Sequence, residues 1–184
     1  MLAMSRSILS RRGGSLAIIP GILVASLLLS PEPALSIDER KLSFYHTHTA
    51  KSLDVVYARG GEYIDSGLDE IELFLSDFRT GDRRTIDPSL LDLIYELRES
   101  LGSNGTFEVI SAYRSPQTNE MLRARSNGVA QGSLHMEGRA IDVRLRGVAT
   151  VRLREAALKL QAGGVGYYPE SDFVHVDTGR VRFW

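Results

Sequence analysis

The sequence predicts an α+β fold, a small antiparallel sheet with flanking helices. Two patterns carry that prediction. Some short stretches are rich in β-branched and aromatic residues or alternate apolar with polar ones, while others repeat apolar residues every three or four positions. Their order is hairpin, two helices, strand, helix, strand, helix, two strands, which keeps strands and helices largely apart. Size supports the same reading. A chain of 184 residues, 43% hydrophobic and 24% charged, suits one globular domain rather than a disordered segment.

Each element has its own signature. Leu42 to His48 and Leu53 to Tyr57 read as the two strands of a hairpin, and Gly60-Gly61 ends the pattern. Ser66 is placed to cap a helix, with Asp69 three residues on and Leu68, Ile71, Leu75 and Phe78 along one face. Thr80-Gly81-Asp82 closes it. Asp87-Pro88 opens a second helix carrying Leu90, Leu91, Ile94, Leu97 and Leu101, and Gly102 stops it. Phe107 to Ala112 reads as a buried strand, and Ser115-Pro116 starts a short helix ending near Asn127-Gly128. A Gly/Ser loop then leads to a strand from Arg139 to Leu145. On it Ala140, Asp142 and Arg144 share one side, and Ile141, Val143 and Leu145 the other. Thr150 caps a helix to about Leu160. Val165 to Tyr168 and Phe173 to Asp177 are the last two strands.

The first 36 residues read as an export signal rather than as part of the fold. Arg6, Arg11 and Arg12 precede an apolar run from Leu16 to Leu29, and Ala34-Leu35-Ser36 resembles a cleavage region. Ser10-Arg11-Arg12 fits the twin-arginine type of signal, with Gly13 and Gly14 where apolar residues usually follow the pair. The run is short for a membrane span, so contact with a membrane is expected only through this segment if it stays uncleaved. The folded domain is then 37–184, and the exported protein is expected in the periplasm. Losing three Arg and one Glu takes the formal net charge from −1 to −3. No large basic field remains to hold a polyphosphate, which excludes nucleic acid as a partner. Cysteine is absent. The core must therefore hold the fold without disulfides, and His, Asp and Glu are left to do any chemistry.

One stretch concentrates such residues. Ser133-Leu-His-Met-Glu-Gly-Arg-Ala-Ile-Asp142 places His135 in a loop and Asp142 on the strand that follows, with Gly138 free to turn sharply between them. Ala140 leaves room beside the Asp142 carboxylate. His175, on the strand Phe173 to Asp177, is the third candidate. Spacing alone leaves two readings open. One is an ordinary loop entering a strand. The other is a His-Asp-His metal set whose open fourth position takes a water, as in catalytic zinc sites.

Ser133-x-His135-x-x-Gly138-x-Ala140-x-Asp142 resembles the metal motif of a clan of zinc peptidases. That clan includes D-alanyl-D-alanine dipeptidases, D-alanyl-D-alanine carboxypeptidases and L-alanyl-D-glutamate endolysins. The stretch Ser111-Ala-Tyr-Arg-Ser115 is similar to a strand-end segment of the same clan. "LRARSNGVA" and "AGGVGYYPESDFVHVDTGRVRFW" look like its murein endopeptidase K branch, and the likeness covers roughly residues 40–184. The resemblance implies a zinc peptidase domain, with the zinc site at the sheet, that cuts peptidoglycan stem-peptide cross-links. His135, Asp142 and His175 match the zinc ligands. Arg114 matches the arginine that holds a substrate carbonyl or carboxylate and the developing oxyanion. Ser133 would hydrogen-bond the substrate or a ligand. By residue type, Tyr167 and Tyr168 are amphipathic wall residues, half core and half cleft, with Tyr167 the candidate substrate contact. Two acids compete as general base. Asp172 stands three residues before His175, where many relatives carry an acid, and Asp177 stands two residues after it. Relatives ending in His-x-His have a second histidine where this chain has Phe173. Rival readings are a D,D-carboxypeptidase or dipeptidase of the clan, and a peptidoglycan-binding module without turnover.

Several of these residues also have plainer readings. Asp172 fits a solvated turn in Pro-Glu-Ser-Asp, Asp177 fits a cap for the Thr178-Gly179 turn, and Arg114 fits a structural ion pair. Glu137 reads as exposed and inert. His46 and His48 read as the polar face of the hairpin. The run of Arg123, Arg125, Arg139, Arg144 and Arg146 reads as a solvated face that could meet the carboxylates of acidic stem peptides.

Overall fold

The computed structural model describes residues 38–125 and 130–184. The expected export signal and the expected helix end near Asn127-Gly128 lie outside the described residues. The strands are β1 (Glu39–His46), β2 (Ser52–Arg59), β3 (Glu62–Tyr63), β4 (Phe107–Ser111), β5 (Ala140–Leu145), β6 (Gly164–Tyr168), β7 (Phe173–Asp177) and β8 (Arg182–Phe183). The helices are α1 (Asp65–Phe74), α2 (Pro88–Ser100), α3 (Pro116–Arg125) and α4 (Thr150–Leu160). The α+β class holds. The sheet, however, is neither small nor wholly antiparallel. It has eight strands in the order β3-β2-β1-β4-β5-β7-β6-β8, and the β1–β4 and β6–β8 pairs are parallel. The two-residue strands β3 and β8 are too short to show a period of two. Parallel pairing of distant segments leaves no local mark at all.

A single apolar cluster joins the sheet to its helices. Leu42 and Phe44 of β1, Tyr57 of β2, Phe107 and Val109 of β4, and Val174 and Val176 of β7 pack with Ile71 and Leu75, with Leu90, Leu91, Ile94 and Leu97 of α2, and with Leu153 of α4. Fully burying each such side chain contributes roughly 1.5–3 kcal/mol before the entropy of ordering is subtracted. On β5, Ile141, Val143 and Leu145 belong to this cluster, which turns Ala140 and Asp142 toward the opposite face. The core thereby fixes which way the Asp142 carboxylate points.

The helices begin and end for identifiable reasons. Asp87 caps α2, its carboxylate accepting from the Ser89 amide at 3.0 Å, with Pro88 in the first turn. The expected caps at Ser66 and Thr150 do not form. Ile64 and Ala149 hold the cap positions with no side-chain bond, and the Thr150 hydroxyl donates to Asp172 instead. Helix α1 stops at Phe74, short of Phe78, because the chain beyond it turns inward at Asp77. The buried Asp77 carboxylate accepts from the Ser115 amide at 2.9 Å and the Ser115 hydroxyl at 2.8 Å. That contact ties the end of α1 to the segment carrying Arg114.

His46 also departs from expectation. It is 2% exposed and packs edge-on against Phe74 and Phe78, so it does not lie on a solvated face. His48 stacks on Phe78 at 4.3 Å. Burial pushes the His46 pKa down to about 4, helped by nearby His48 and Arg79. A histidine held below its unfolded pKa supplies stability above about pH 6.5 and loses it as pH falls through about 4. NMR titration should find the His46 ring neutral at pH 5; a midpoint near 6.5 would contradict this packing.

Gly138 closes the turn before β5 at φ 71°, and a Cβ built there would sit 2.2 Å from the Thr85 carbonyl oxygen. Gly138→Ala should therefore cost about 2 kcal/mol or more. The urea midpoint measures it, and an unchanged midpoint would rule out this turn geometry.

Candidate metal centre

Four adjacent strands place the site in one row. Ser111 on β4 pairs with Asp142 on β5, Asp142 with His175 on β7, and His175 with Gly166 on β6. Ser111 reaches this row through a register shift between Val109 and Ser111. Val109 belongs to the core, and the extra residue re-aims Ser111 to the Asp142 side. His135 comes from a 3₁₀ turn, Leu134–Glu137, immediately before β5. Ser133 caps that turn, its hydroxyl accepting from the His135 amide at 3.4 Å.

His135, Asp142 and His175 converge as three buried donor groups that could hold a metal ion. His135 Nε2 lies 3.2 Å from His175 Nδ1. Asp142 Oδ1 lies 2.8 Å from His175 Nδ1 and 3.2 Å from His135 Nε2. Ligand bonds of about 2.0–2.1 Å in a tetrahedron separate ligand atoms by roughly 3.3 Å, so the triangle fits such an ion with little movement.

The outer nitrogen of each imidazole is already committed. His135 Nδ1 donates to the Ala112 carbonyl at 2.7 Å, which leaves Nε2 as the inward lone pair. His175 Nε2 donates to Asp177 Oδ2 at 2.9 Å, which leaves Nδ1 inward. Burial holds the His135 pKa below its ordinary value, favouring the neutral, ligating form. Burial acts the same way on His175, but without a metal its Nδ1 can carry a proton toward Asp142, and hydrogen bonds to Asp142 and Asp177 outweigh burial and raise that pKa; a metal would take the place of that proton.

Both carboxylates stay ionised. Burial pushes Asp142 up, but the neighbouring imidazoles reverse this and hold it far below the usual carboxylate range. Asp177 is also held far below that range. Burial raises its pKa, and hydrogen bonds from His175, Arg182 and the Gly179 and Gly164 amides outweigh that. Arg114 binds the outer oxygen of Asp142 through one guanidinium nitrogen and the Ser111 hydroxyl, at 2.7 Å, through its Nε. Its own amide donates to the His135 carbonyl at 3.2 Å. A cavity of about 230 Å³ opens onto the three donor groups, so a metal held by them would have room beside it for a water or a substrate carbonyl.

The expected site residues divide. Arg114, Ser133, His135, Asp142, His175 and Asp177 all line this cavity. Asp172 does not. It bonds the Thr150 hydroxyl at 2.8 Å and Arg144 at 3.5 Å, and its side chain is 59% exposed. Tyr167 also lies elsewhere, under the Arg154 guanidinium, because alternation along β6 turns it away from the face of Gly166. Tyr168 lines the cavity in its place. Sequence reasoning missed Arg182 and Trp184. Arg182 bonds both Asp177 oxygens, and the Trp184 ring lies 5.2 Å from that of His175. Only the pairing of β8 with β6 brings them here, and two residues of strand gave no signal.

Comparison with known proteins places the chain in one family. The family profile described as peptidoglycan L,D-endopeptidase MepK, of the M15 peptidases, matches residues 34–184. The chain is 42% identical over 168 residues to the Escherichia coli K12 peptidoglycan L,D-endopeptidase MepK, covering 91% of this chain and 88% of that protein. It is 37% identical over 170 residues to the probable peptidoglycan L,D-endopeptidase MepK of Haemophilus influenzae, covering 92% and 88%.

Asp177→Asn removes the charge and one of the two acceptor oxygens at the group that sets the His175 ring. Metal affinity should fall about 10–100-fold, measured by competition with a chromogenic chelator. Unchanged affinity would mean that Asp177 does not orient the ligand.

Proposed function

The chain belongs to the M15 peptidases of the peptidoglycan L,D-endopeptidase MepK type, and from that premise we propose an exported zinc metallopeptidase that hydrolyses peptidoglycan stem-peptide cross-links. The observation that carries this reading is the convergence of His135 Nε2, Asp142 Oδ1 and His175 Nδ1 on an open cavity. Zinc bound there supplies Lewis acidity and an activated water near neutral pH. The relatives' name specifies an L,D bond. A link from the L-centre of one diaminopimelate to the D-centre of the next is such a bond, whereas D-alanyl–diaminopimelate links are D,D. We take the former as the substrate.

The chain's own groups then have distinct tasks. Asp142 would give one oxygen to the metal while the other is held by Arg114, which fixes its rotamer. Arg114 retains donors beyond those bonds and faces the cavity, where it can bind the scissile carbonyl and its developing negative charge. Ser133 stands at the same wall to hydrogen-bond the peptide. Of the two acids expected to move the proton, we assign Asp177 the role coupled to the centre, through His175, and place Asp172 outside it. Export by residues 1–36 would deliver the enzyme to the periplasm, where this substrate lies. Among the described residues no helix is long and apolar enough to cross a membrane.

Digestion of purified sacculi tests the proposal. Zinc-dependent loss of diaminopimelate-linked dimers, abolished by chelator and by His135→Ala, is expected. Release of free D-alanine without loss of dimers would favour the carboxypeptidase reading, and binding without any product would favour a binding module. Asp172→Asn should leave turnover within about twofold, as expected for an exposed ion pair away from the chemistry. A large loss would return Asp172 to the proton path.

A further inference from the structure

Trp184 is half-exposed beside the metal centre, yet it is held from every side. Its ring lies 5.2 Å from the His175 ring. Its indole N–H donates to the Tyr168 hydroxyl at 2.8 Å, and the Arg182 guanidinium stacks on it at 5.0 Å. Its backbone pairs with Val165 and Tyr167. Beneath it is Gly166, the residue paired with His175 in the site row, where a Cβ would come within 2.7 Å of the indole. The glycine is thus the seat of the ring. Tyr168 in turn stacks on Phe173 at 4.5 Å, so three aromatic rings form one continuous wall of the cavity.

An aromatic ring that is 50% exposed but locked by its neighbours has already lost the freedom that ligand binding would otherwise cost. Shielding His175 needs one face of the indole. The part of the ring that stays exposed is fixed, and it shares the cavity with Arg114, where the carboxylates of Asp142 and Asp177 are already engaged. An aromatic wall and a cation in one cavity suit a chain of methylenes next to a carboxylate. An alanyl methyl would cover only a small part of it.

We propose that Trp184, seated on Gly166 and tethered to Tyr168, is a specificity-determining contact that packs the methylene chain of the diamino acid on the carbonyl side of the scissile bond. This rests on the reading above that the substrate is a peptidoglycan cross-link. The wall then discriminates a diaminopimelate donor from a D-alanyl donor, because only the former carries methylenes at that position.

Trp184 is the chain's single tryptophan, so its emission reports this one position. The zinc-loaded full chain and its Trp184→Ala, Trp184→Phe and Tyr168→Phe variants would be assayed on purified diaminopimelate-linked and D-alanyl-linked dimers. Zinc content would be measured alongside. Trp184→Ala should raise KM for diaminopimelate-linked dimers about tenfold, equivalent to roughly 1.4 kcal/mol. Zinc content and kcat should stay near wild type, and Trp184→Phe and Tyr168→Phe should fall between. Saturating the wild type with tetrapeptide monomer should shift its indole emission. Unchanged KM, or lost zinc and kcat with KM intact, would overturn the inference and leave Trp184 as a cover for His175. A wild type that cuts neither dimer would sink the endopeptidase reading itself; the indole response to muropeptide then decides the contact alone.

Discussion

The site depends on the Asp142 carboxylate. It is 4% exposed, and an isolated charge at that depth would cost several kcal/mol. It persists because every direction is answered. One oxygen faces His135 and His175, and the other takes the Arg114 guanidinium. The core decides that this carboxylate faces the site at all. Ile141 and Val143 are buried on the opposite side of β5, and a slip of one residue would exchange the two sets. Packing on one face of the sheet therefore sets the chemistry on the other.

From Asp142 the constraints run outward in two chains. One passes through Arg114 to Ser111, and along the backbone to Ser115 and the buried Asp77. The other passes through His175 to Asp177, Arg182 and the Gly164 and Gly179 amides. Each chain settles which nitrogen or oxygen is left for a ligand. Residues far apart in sequence thus hold three donor atoms at the spacing one metal ion requires.

Much of this was legible in the sequence, because a short motif carries its own geometry. Gly138 reversing the turn and Ala140 leaving room beside Asp142 follow from residue type and spacing, whereas the cap that Ser133 supplies to the turn came only with the structure. The six longer strands and α2 followed from periodicity and from Asp87-Pro88. What was not legible depended on pairing between distant segments. The register shift that swings Ser111 beside Asp142, the parallel β1–β4 contact and the arrival of Trp184 over Gly166 have no local signature. Tyr167 and Tyr168 show the same limit at finer scale. The sequence read the pair as half core and half cleft with Tyr167 at the substrate, and only the register of β6 decides that Tyr168 faces the cavity. Asp172 stood at a spacing where many relatives carry an acid, but Thr150 and Arg144 hold it outside the cavity.

The central claim is that one metal ion binds at the convergence of His135 Nε2, Asp142 Oδ1 and His175 Nδ1. A crystal structure of the zinc-loaded protein, with anomalous data at the zinc edge, tests it most directly. The account predicts a single strong peak about 2.0–2.2 Å from those three atoms, with the fourth position facing the cavity. A peak bound through His175 Nε2, or one located away from Asp142, would contradict it.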